Sequence, residues 1–272
     1  MNRVRAAVLF VVLALIDTAV LLAPPAPESL QPPPTPEVIQ YDSDALSWPG
    51  VIVDNDMGTP GGDGQCTFQD SGSGSPVGKD HVTIIDTVSI DPSTCTRRVA
   101  TATYPVTAIP DSVWVQMDPS ITELITARAL VPVQRTILPV PTWTGSVTVT
   151  VRDPLNLIIT QTVVGLTWTS ADERVTSWEP TFEDSWATWS GWSRYAGRFD
   201  ASGNNDQYAY ATTSAYYRND LFCPGRTNTT YSNHWITYFQ GRADGSWQWR
   251  RVLNYSGGCS WMLHDTVTLI TP

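Results

Sequence analysis

One lysine, Lys79, stands among the 16 basic residues of this 272-residue chain, and charged residues of all kinds reach only 15%, well below the roughly 25% of an average globular protein. So little charge excludes a body held open by self-repulsion, and with apolar residues at 42% the chain can bury a core. Positive charge is the scarcer sign. The formal net charge is −10, a field that repels phosphate backbones and argues against sequence-independent nucleic-acid binding. Cysteine is also sparse: Cys66, Cys95, Cys223 and Cys259 are the whole set. None precedes Cys66, which excludes lipid attachment at an N-terminal cysteine. No C-x-x-C pair occurs, and His81, His234 and His264 are not spaced as ligands, so a zinc site lacks its ligand pattern. Also missing are a G-x-S-x-G elbow, an H-E-x-x-H helix, a Walker loop and a dinucleotide fingerprint.

What is present begins with an address. Arg3 and Arg5 precede an apolar run from Ala6 to Ile16, the basic-then-apolar order of an export signal. Asp17 and Thr18 interrupt it before Ala19 to Ala23 resumes it. Counted to Ala23, the 18 residues would make a helix of about 27 Å, near the minimum for a bilayer span. A cleaved signal peptide and a retained anchor over residues 1–23 are both open. In either case the positive-inside rule sends the remainder outward. Membrane contact is expected only through residues 6–23, if the leader is kept. Pro24 to Gln40 holds seven prolines, and such a tract stays extended because proline fixes φ and donates no hydrogen bond. It reads as a stiff stalk of roughly 50 Å, or as a passive leader.

Four cysteines lying wholly after the address fit an oxidising, extracellular compartment. Of the three possible pairings, neighbour pairing is expected: Cys66 with Cys95 and Cys223 with Cys259, one staple in each half of the chain.

Between Thr142 and Thr169, fifteen of 28 residues are Val, Ile or Thr, whose branched side chains suit a pleated surface. Ser146–Arg152 alternates valine with hydroxyl residues. Asp153-Pro154-Leu155-Asn156 then turns the chain into a strand from Leu157 to Trp168. Further strands are expected at Val82–Ile90 and Ser112–Met117, and Ile121–Leu130 reads as a short helix or an edge strand. After Ser170 the composition changes, because eight of the twelve tryptophans follow it. A domain boundary is expected there. The last forty residues read as a meander, His234–Gln240, Trp247–Leu253 and Cys259–Ile270, with turns at Ala243-Asp244-Gly245 and Ser256-Gly257-Gly258. The expected architecture is mostly β. It has an N-terminal hydrophobic helix over 1–23, a Pro-rich linker over 24–40, and two small sandwich- or barrel-like domains over 41–170 and 171–272.

The most unusual string is Trp186-Ala-Thr-Trp189-Ser-Gly-Trp192-Ser, followed by Arg194, Tyr195 and Arg198. Indoles three residues apart can stack along one side with arginines supplying cation–π contacts. The string resembles the tryptophan ladder of thrombospondin type 1 repeats, without that family's closely following cysteines. Trp186, Trp189, Trp192, Arg194 and Tyr195 are therefore the candidate platform for an extracellular glycan or protein partner. The same aromatics would equally fill the core of a small domain. Asp200, Ser202, Asn204 and Asp206 put oxygen at every second position, an arrangement that could wrap calcium, although glycine and glutamate are not where an EF-hand loop needs them. Asp54-Asn55-Asp56-Met57-Gly58 with Asp63 is a second acidic candidate. Glu179, Glu183 and Asp184 near the tryptophans could hydrolyse a glycoside if two of them converge. Asn228-Thr-Thr and Asn254-Tyr-Ser fit the glycosylation acceptor pattern.

The strings Ile90-Asp-Pro-Ser-Thr-Cys95 and Ser256-Gly-Gly-Cys259-Ser, the latter followed by Trp-Met-Leu-His, resemble segments of exported β-rich proteins of Gram-positive bacteria. That resemblance implies secretion and a cysteine in each half, with no activity attached. The expectations for function are a non-enzymatic binding module, a structural envelope protein without a ligand, or a secreted glycosidase-like hydrolase.

Overall fold

The computed structural model describes residues 38–272, apart from 42, 62–64, 77–79, 115–121, 123–125, 127–139 and 224–228. The expected leader over 1–23, the stalk up to residue 37, Lys79, Asp63 and the acceptor Asn228 lie outside the described residues. So does Ile121–Leu130, apart from residues 122 and 126.

Strands dominate what is described. In the first half they are β1 (Ile39–Gln40), β2 (Ile52–Met57), β3 (Thr59–Pro60), β4 (Cys66–Gly74), β5 (His81–Asp91), β6 (Thr96–Pro105) and β7 (Thr142–Arg152). In the second they are β8 (Ile158–Ala171), β9 (Arg174–Trp186), β10 (Trp192–Arg194), β11 (Phe199–Asn204), β12 (Tyr208–Asn219), β13 (Thr230–Arg242), β14 (Trp247–Gly257) and β15 (His264–Thr271). They form two antiparallel sheets. The eight-stranded sheet runs β2-β6-β5-β15-β7-β8-β9 with β1 added on β5, and the seven-stranded sheet runs β10-β12-β13-β14-β4-β3 with β11 added on β12.

The strands read from β-branched alternation at Val82–Ile90, Ser146–Arg152 and Leu157–Trp168 are present as β5, β7 and β8, joined where expected by the turn at Asp153–Asn156. In that turn Asp153 Oδ1 accepts from the backbone N–H of both Leu155 and Leu157 at 2.9 Å. Two expectations are corrected. Of the strand expected at Ser112–Met117, residues 112–114 lie instead in a helical turn, α1, at Asp111–Trp114, and residues 115–117 lie outside the described residues; the turn follows Pro110, whose fixed φ and missing N–H suit a helix start and break a ladder. The terminal meander is broken as well: β13 and β14 form the expected hairpin, but β15 leaves them and inserts between β5 and β7 of the other sheet.

The division at residue 170 is corrected for the same reason. Residues 35–272 form one compact unit, and the proposed boundary falls inside β8, which pairs along its length with β9. The first half lends β4 to the seven-stranded sheet, where it pairs with β14, while the second half lends β15 to the eight-stranded sheet. Each sheet thus needs both halves of the chain.

The two sheets face each other across a core in which Val147, Val149, Leu166 and Trp168 meet Ile236, Phe239, Trp249 and Leu253. Gly145 and Gly241 permit the closest approach: a Cβ on Gly145 would lie 2.1 Å from the Phe239 ring, and one on Gly241 would lie 2.2 Å from Trp168. A second apolar cluster, with Trp48, Val82, Ala102 and Val113, covers part of the other face of the eight-stranded sheet. The expected disulfides are both present, Cys66–Cys95 and Cys223–Cys259. The first ties β4 of one sheet to the β5–β6 turn of the other. Two disulfides fit an oxidising environment.

Between the sheets lies a buried ionic layer. Arg97 on β6 donates from Nε to Asp56 on β2 at 2.8 Å and from its terminal nitrogens to Asp70 on β4 and to Asp265 on β15. Arg251 on β14 reaches Asp70 and Asp265, each at 2.5 Å. Both guanidiniums are inaccessible to solvent. Arg97 also lies over the Phe68 ring at 4.7 Å. Burial works against the ionised Asp70, yet Arg251 and Arg97 beside it hold its carboxyl down at about 2. Next to this layer, His234 on β13 is enclosed by hydroxyls: Thr162 at 2.9 Å on Nδ1, and Ser232 at 3.0 Å and Thr160 at 3.2 Å on Nε2.

Two predictions follow from these buried charges. Arg97→Met leaves Asp265 and Asp70 short of a partner in a dry interior, and should cost about 3–5 kcal/mol in denaturant unfolding. The second concerns acid. Burial, reinforced by Arg251, lowers His234 from 6.5 to about 3. The unfolded chain therefore takes up this proton near pH 6.5 while the folded chain does not until about pH 3. The stabilisation is fully present above pH 6.5 and drains away as pH falls towards 3, at up to about 1.4 kcal/mol per pH unit. His234→Gln should flatten the loss of melting temperature between pH 6.5 and 4 relative to wild type, measured by calorimetry.

Candidate functional site

The structure does not gather the tryptophan string into one platform. Trp186 ends β9, Trp189 sits on the 3-10 turn Thr188–Ser190, and Trp192 opens β10. A chain that changes direction twice in seven residues cannot keep three indoles on one side. Trp192 is 2% exposed and packs on Phe222 in the core, whereas Trp189 is 72% exposed. Trp186 is half-buried against Tyr217, and the expected cation–π contact is made here, with Arg194 5.3 Å over its ring. Arg194 is held in turn by Asp184 at 2.8 Å; the same carboxylate takes Arg198 at 2.8 Å, and Arg198 reaches Asp200 at 2.7 Å.

Tyr195 belongs elsewhere. Its hydroxyl donates to Asn233 Oδ1 at 3.2 Å, and its ring meets Tyr216 and Tyr231 edge-on. It marks one border of the outward face of the seven-stranded sheet, where aromatic and amide side chains collect from strands far apart in sequence. Tyr216 there packs edge-on against Trp235 and accepts from its indole N–H at 2.8 Å, which fixes the ring. The pairing register lines up Phe199, Ser214, Trp235, Val252 and Gln69 in one row across five strands. Around that row lies a shallow depression of about 420 Å³ lined by Phe199, Thr212, Thr213, Ser214, Trp235, Thr237 and Val252. Phe199 and Trp235 are two strand spacings apart, roughly 10 Å. Beside the row, Gln248 donates to Gln240 at 2.8 Å, Arg250 to Gln69 at 2.6 Å and Asn254 to Thr67 at 2.9 Å. A second open depression of about 740 Å³ is lined by Tyr208, Gln240, Arg242 and Gln248 together with the acidic Glu173 and Asp244.

The depression around the row is lined by no Asp or Glu, in a chain whose balance is −10. Strands β10, β12, β13 and β14 contain no Asp or Glu. Asp70 on β4 points inward to Arg97 and Arg251, and Asp200 on β11 is taken by Arg198 and the Thr213 hydroxyl. Asn254, an acceptor candidate by sequence, is buried within β14.

The acidic candidates do not converge. Asp200, Ser202 and Asn204 lie along the extended strand β11, which spreads Asp200 and Asn204 over about 13 Å, and Asn204 donates its amide to Val175 O. Asp206 lies beyond it in a turn with φ 68°. A calcium loop needs these oxygens wrapped about one point; a strand sets them in a line. The second candidate is likewise strand β2, with Asp56 committed to Arg97. Among the described residues no group of three or more His, Cys, Asp or Glu is placed to hold a metal. Glu179 and Glu183 share a face of β9 four residues apart, about 13 Å by strand rise, beyond the roughly 5–9.5 Å that glycosidase carboxylates require. Asp184 points the other way, to its arginines. Comparison with protein-family models, curated proteins and solved structures finds no match to this chain.

The contrast between the indoles is measurable. Trp192→Ala empties a core position and should cost about 3–5 kcal/mol, whereas Trp189→Ala should change stability by less than about 0.5 kcal/mol in the same denaturant titration.

Proposed function

We propose that this protein is an extracellular, non-enzymatic glycan-binding module whose site is the outward face of the seven-stranded sheet. The observation that carries the reading is the row Phe199, Ser214, Trp235, Val252 and Gln69, with its flanking amides and no Asp or Glu among the residues that line the depression around it. Flat rings offer apolar faces to the C–H face of a sugar, and side-chain amides and hydroxyls are matched donors and acceptors for its hydroxyl groups. Phe199 and Trp235 are separated by about the distance between alternate rings of an extended polysaccharide, with Ser214 between them. A shallow, open depression suits a polymer lying across the strands better than a compact small molecule, which prefers an enclosed pocket. Glu179, Glu183 and Asp184 are not set as a glycosidase pair, which leaves the hydrolase reading without the residues it was argued from. The export address and the two disulfides supply the compartment in which such a polymer is met.

The test is affinity electrophoresis and calorimetry with a panel of soluble neutral polysaccharides. Trp235→Ala and Phe199→Ala should each weaken binding by about 2 kcal/mol, roughly thirtyfold in Kd. Trp189→Ala should leave it unchanged. Absence of retardation by every neutral polysaccharide in the panel, or full binding by the Trp235 and Phe199 variants, would remove this reading.

A further inference from the structure

The pairing register defines one end of the molecule. In the eight-stranded sheet, Ile39 pairs with Ile90, Met57 with Thr96, His264 with Arg152, Arg152 with Ile158 and Trp186 with Thr160. In the seven-stranded sheet, Trp192 and Thr230 both pair with Asn219, Thr230 also pairs with Gly257, and Cys66 pairs with Tyr255. The chain passes directly from Trp186 to Trp192 and from Gly257 to His264, and Cys66 is bonded to Cys95. These strand ends therefore lie together, and both disulfides are among them.

The most exposed apolar side chains are at this same end. Four described large hydrophobic residues exceed 70% exposure: Met57 at 78%, Leu155 at 78%, Trp189 at 72% and Leu221 at 79%. They come from the end of β2, the β7–β8 turn, the β9–β10 turn and the β12–β13 loop. The next, Ile52, is at the opposite end of β2. All four project from separate strand ends or turns on one rim of the molecule.

The side chains are also held out by built turns. Asp153 caps the turn that carries Leu155. One side chain, Asn219, organises two others: its Oδ1 accepts from Leu221 N and its Nδ2 donates to Ser190 O, each at 2.8 Å, while Gly191 with φ 87° closes the turn behind Trp189. Fixing the turns in this way lowers the ordering cost of inserting their tips into another phase.

We propose that this end seats on a lipid surface, with Leu155, Trp189 and Leu221 entering the interfacial layer from three separate turns. Separate projections suit a fluid, planar medium rather than a shaped protein partner. Tryptophan favours the bilayer interface, where its ring and N–H meet both phases. The covalent path points the same way, because the described chain enters at this end, at Val38 and Ile39 next to Ile90, downstream of the apolar run Ala6–Ala23. Charge supplies no attraction: Asp91, Asp153 and Asp220 outnumber Arg152 and Arg218 by one at these strand ends, so the contact is apolar and resists salt.

The full chain can test this directly, because its first tryptophan is Trp48 and indole fluorescence therefore reports only the body. In phosphatidylcholine vesicles with brominated acyl chains, wild type should show bromine-dependent quenching that falls by more than half in Trp189→Phe. Phenylalanine keeps the apolar tip and removes only the reporter. The double variant Leu155→Ser, Leu221→Ser should lose quenching by lifting the body off. Trp178→Phe, on the middle of β9, should keep it, and added salt should leave it unchanged. Absence of bromine-dependent quenching in wild type, undiminished quenching in Trp189→Phe, loss of quenching with salt, or a Trp189-dependent dimer in lipid-free sedimentation would each overturn the proposal.

Discussion

The fold depends on two guanidiniums that no water reaches. Arg97 and Arg251 project from opposite sheets into the gap between them and are shared by Asp56, Asp70 and Asp265. Apolar packing is non-directional and would tolerate several offsets of one sheet over the other. An ion layer does not, because the desolvation of each charge is offset only when every partner is in reach. The planar fork of arginine suits this role, since it can serve three carboxylates from fixed directions. The layer sits close to Cys66–Cys95, so a covalent and an ionic tie fix the two sheets at the same end. The glycine positions beneath Phe239 and Trp168 then set how closely the sheets approach farther along.

Much of this was legible in the sequence, and what was not has identifiable causes. Alternating Val and Thr mark β5, β7 and β8 because a half-buried strand has a period of two wherever it lies in a fold. Neighbour pairing of the cysteines was readable because it gives each half of the chain its own staple, although Cys66–Cys95 ties one sheet to the other. The boundary at residue 170 misled because a rise in tryptophan content looks like a change of domain. Here it marks a sheet whose two faces both hold aromatics: Trp192 and Trp249 inward, Trp235 outward. Strand β15 was readable as a strand but not as a crossover, since nothing in Gly257-Gly258-Cys259 says which sheet receives the next segment. The alternating oxygens of Asp200 to Asn204 fit a loop and a strand equally well on paper; pairing with β12 decided for the strand.

The outward aromatic face shows why a binding surface can be invisible locally when a tryptophan string is conspicuous. Phe199, Trp235 and Gln69 are separated by as many as 166 positions between Gln69 and Trp235, and become neighbours only through antiparallel pairing of β11, β12, β13, β14 and β4. Of the five residues singled out by spacing, only Tyr195 touches that face. A usable signal was nevertheless present as an absence: from Tyr208 to Asn219, Thr230 to Arg242 and Trp247 to Gly257, no Asp or Glu interrupts the strands of a strongly acidic chain. Depletion of acidic residues over three successive strands, which keep Arg218, Arg242, Arg250 and Arg251, can be read without knowing the register.

The two proposed surfaces meet at right angles, and this relation gives each a use for the other. A strand that stands with its end on a lipid layer runs away from that layer, so the outward face of the seven-stranded sheet stands upright beside the membrane rather than flat upon it. The row from Phe199 to Gln69 crosses the strands and would therefore lie parallel to the lipid surface. A polymer bound along that row would be held alongside the membrane instead of being driven into it. Seating through three turns around the stapled end also constrains tilt, which a single flexible tether cannot do. The stapling itself has a reason in this arrangement: Trp189 and Leu221 project outside the core, so Asn219 and the nearby Cys223–Cys259 bond add to the order that Trp192 and Phe222 supply by packing in the same turns.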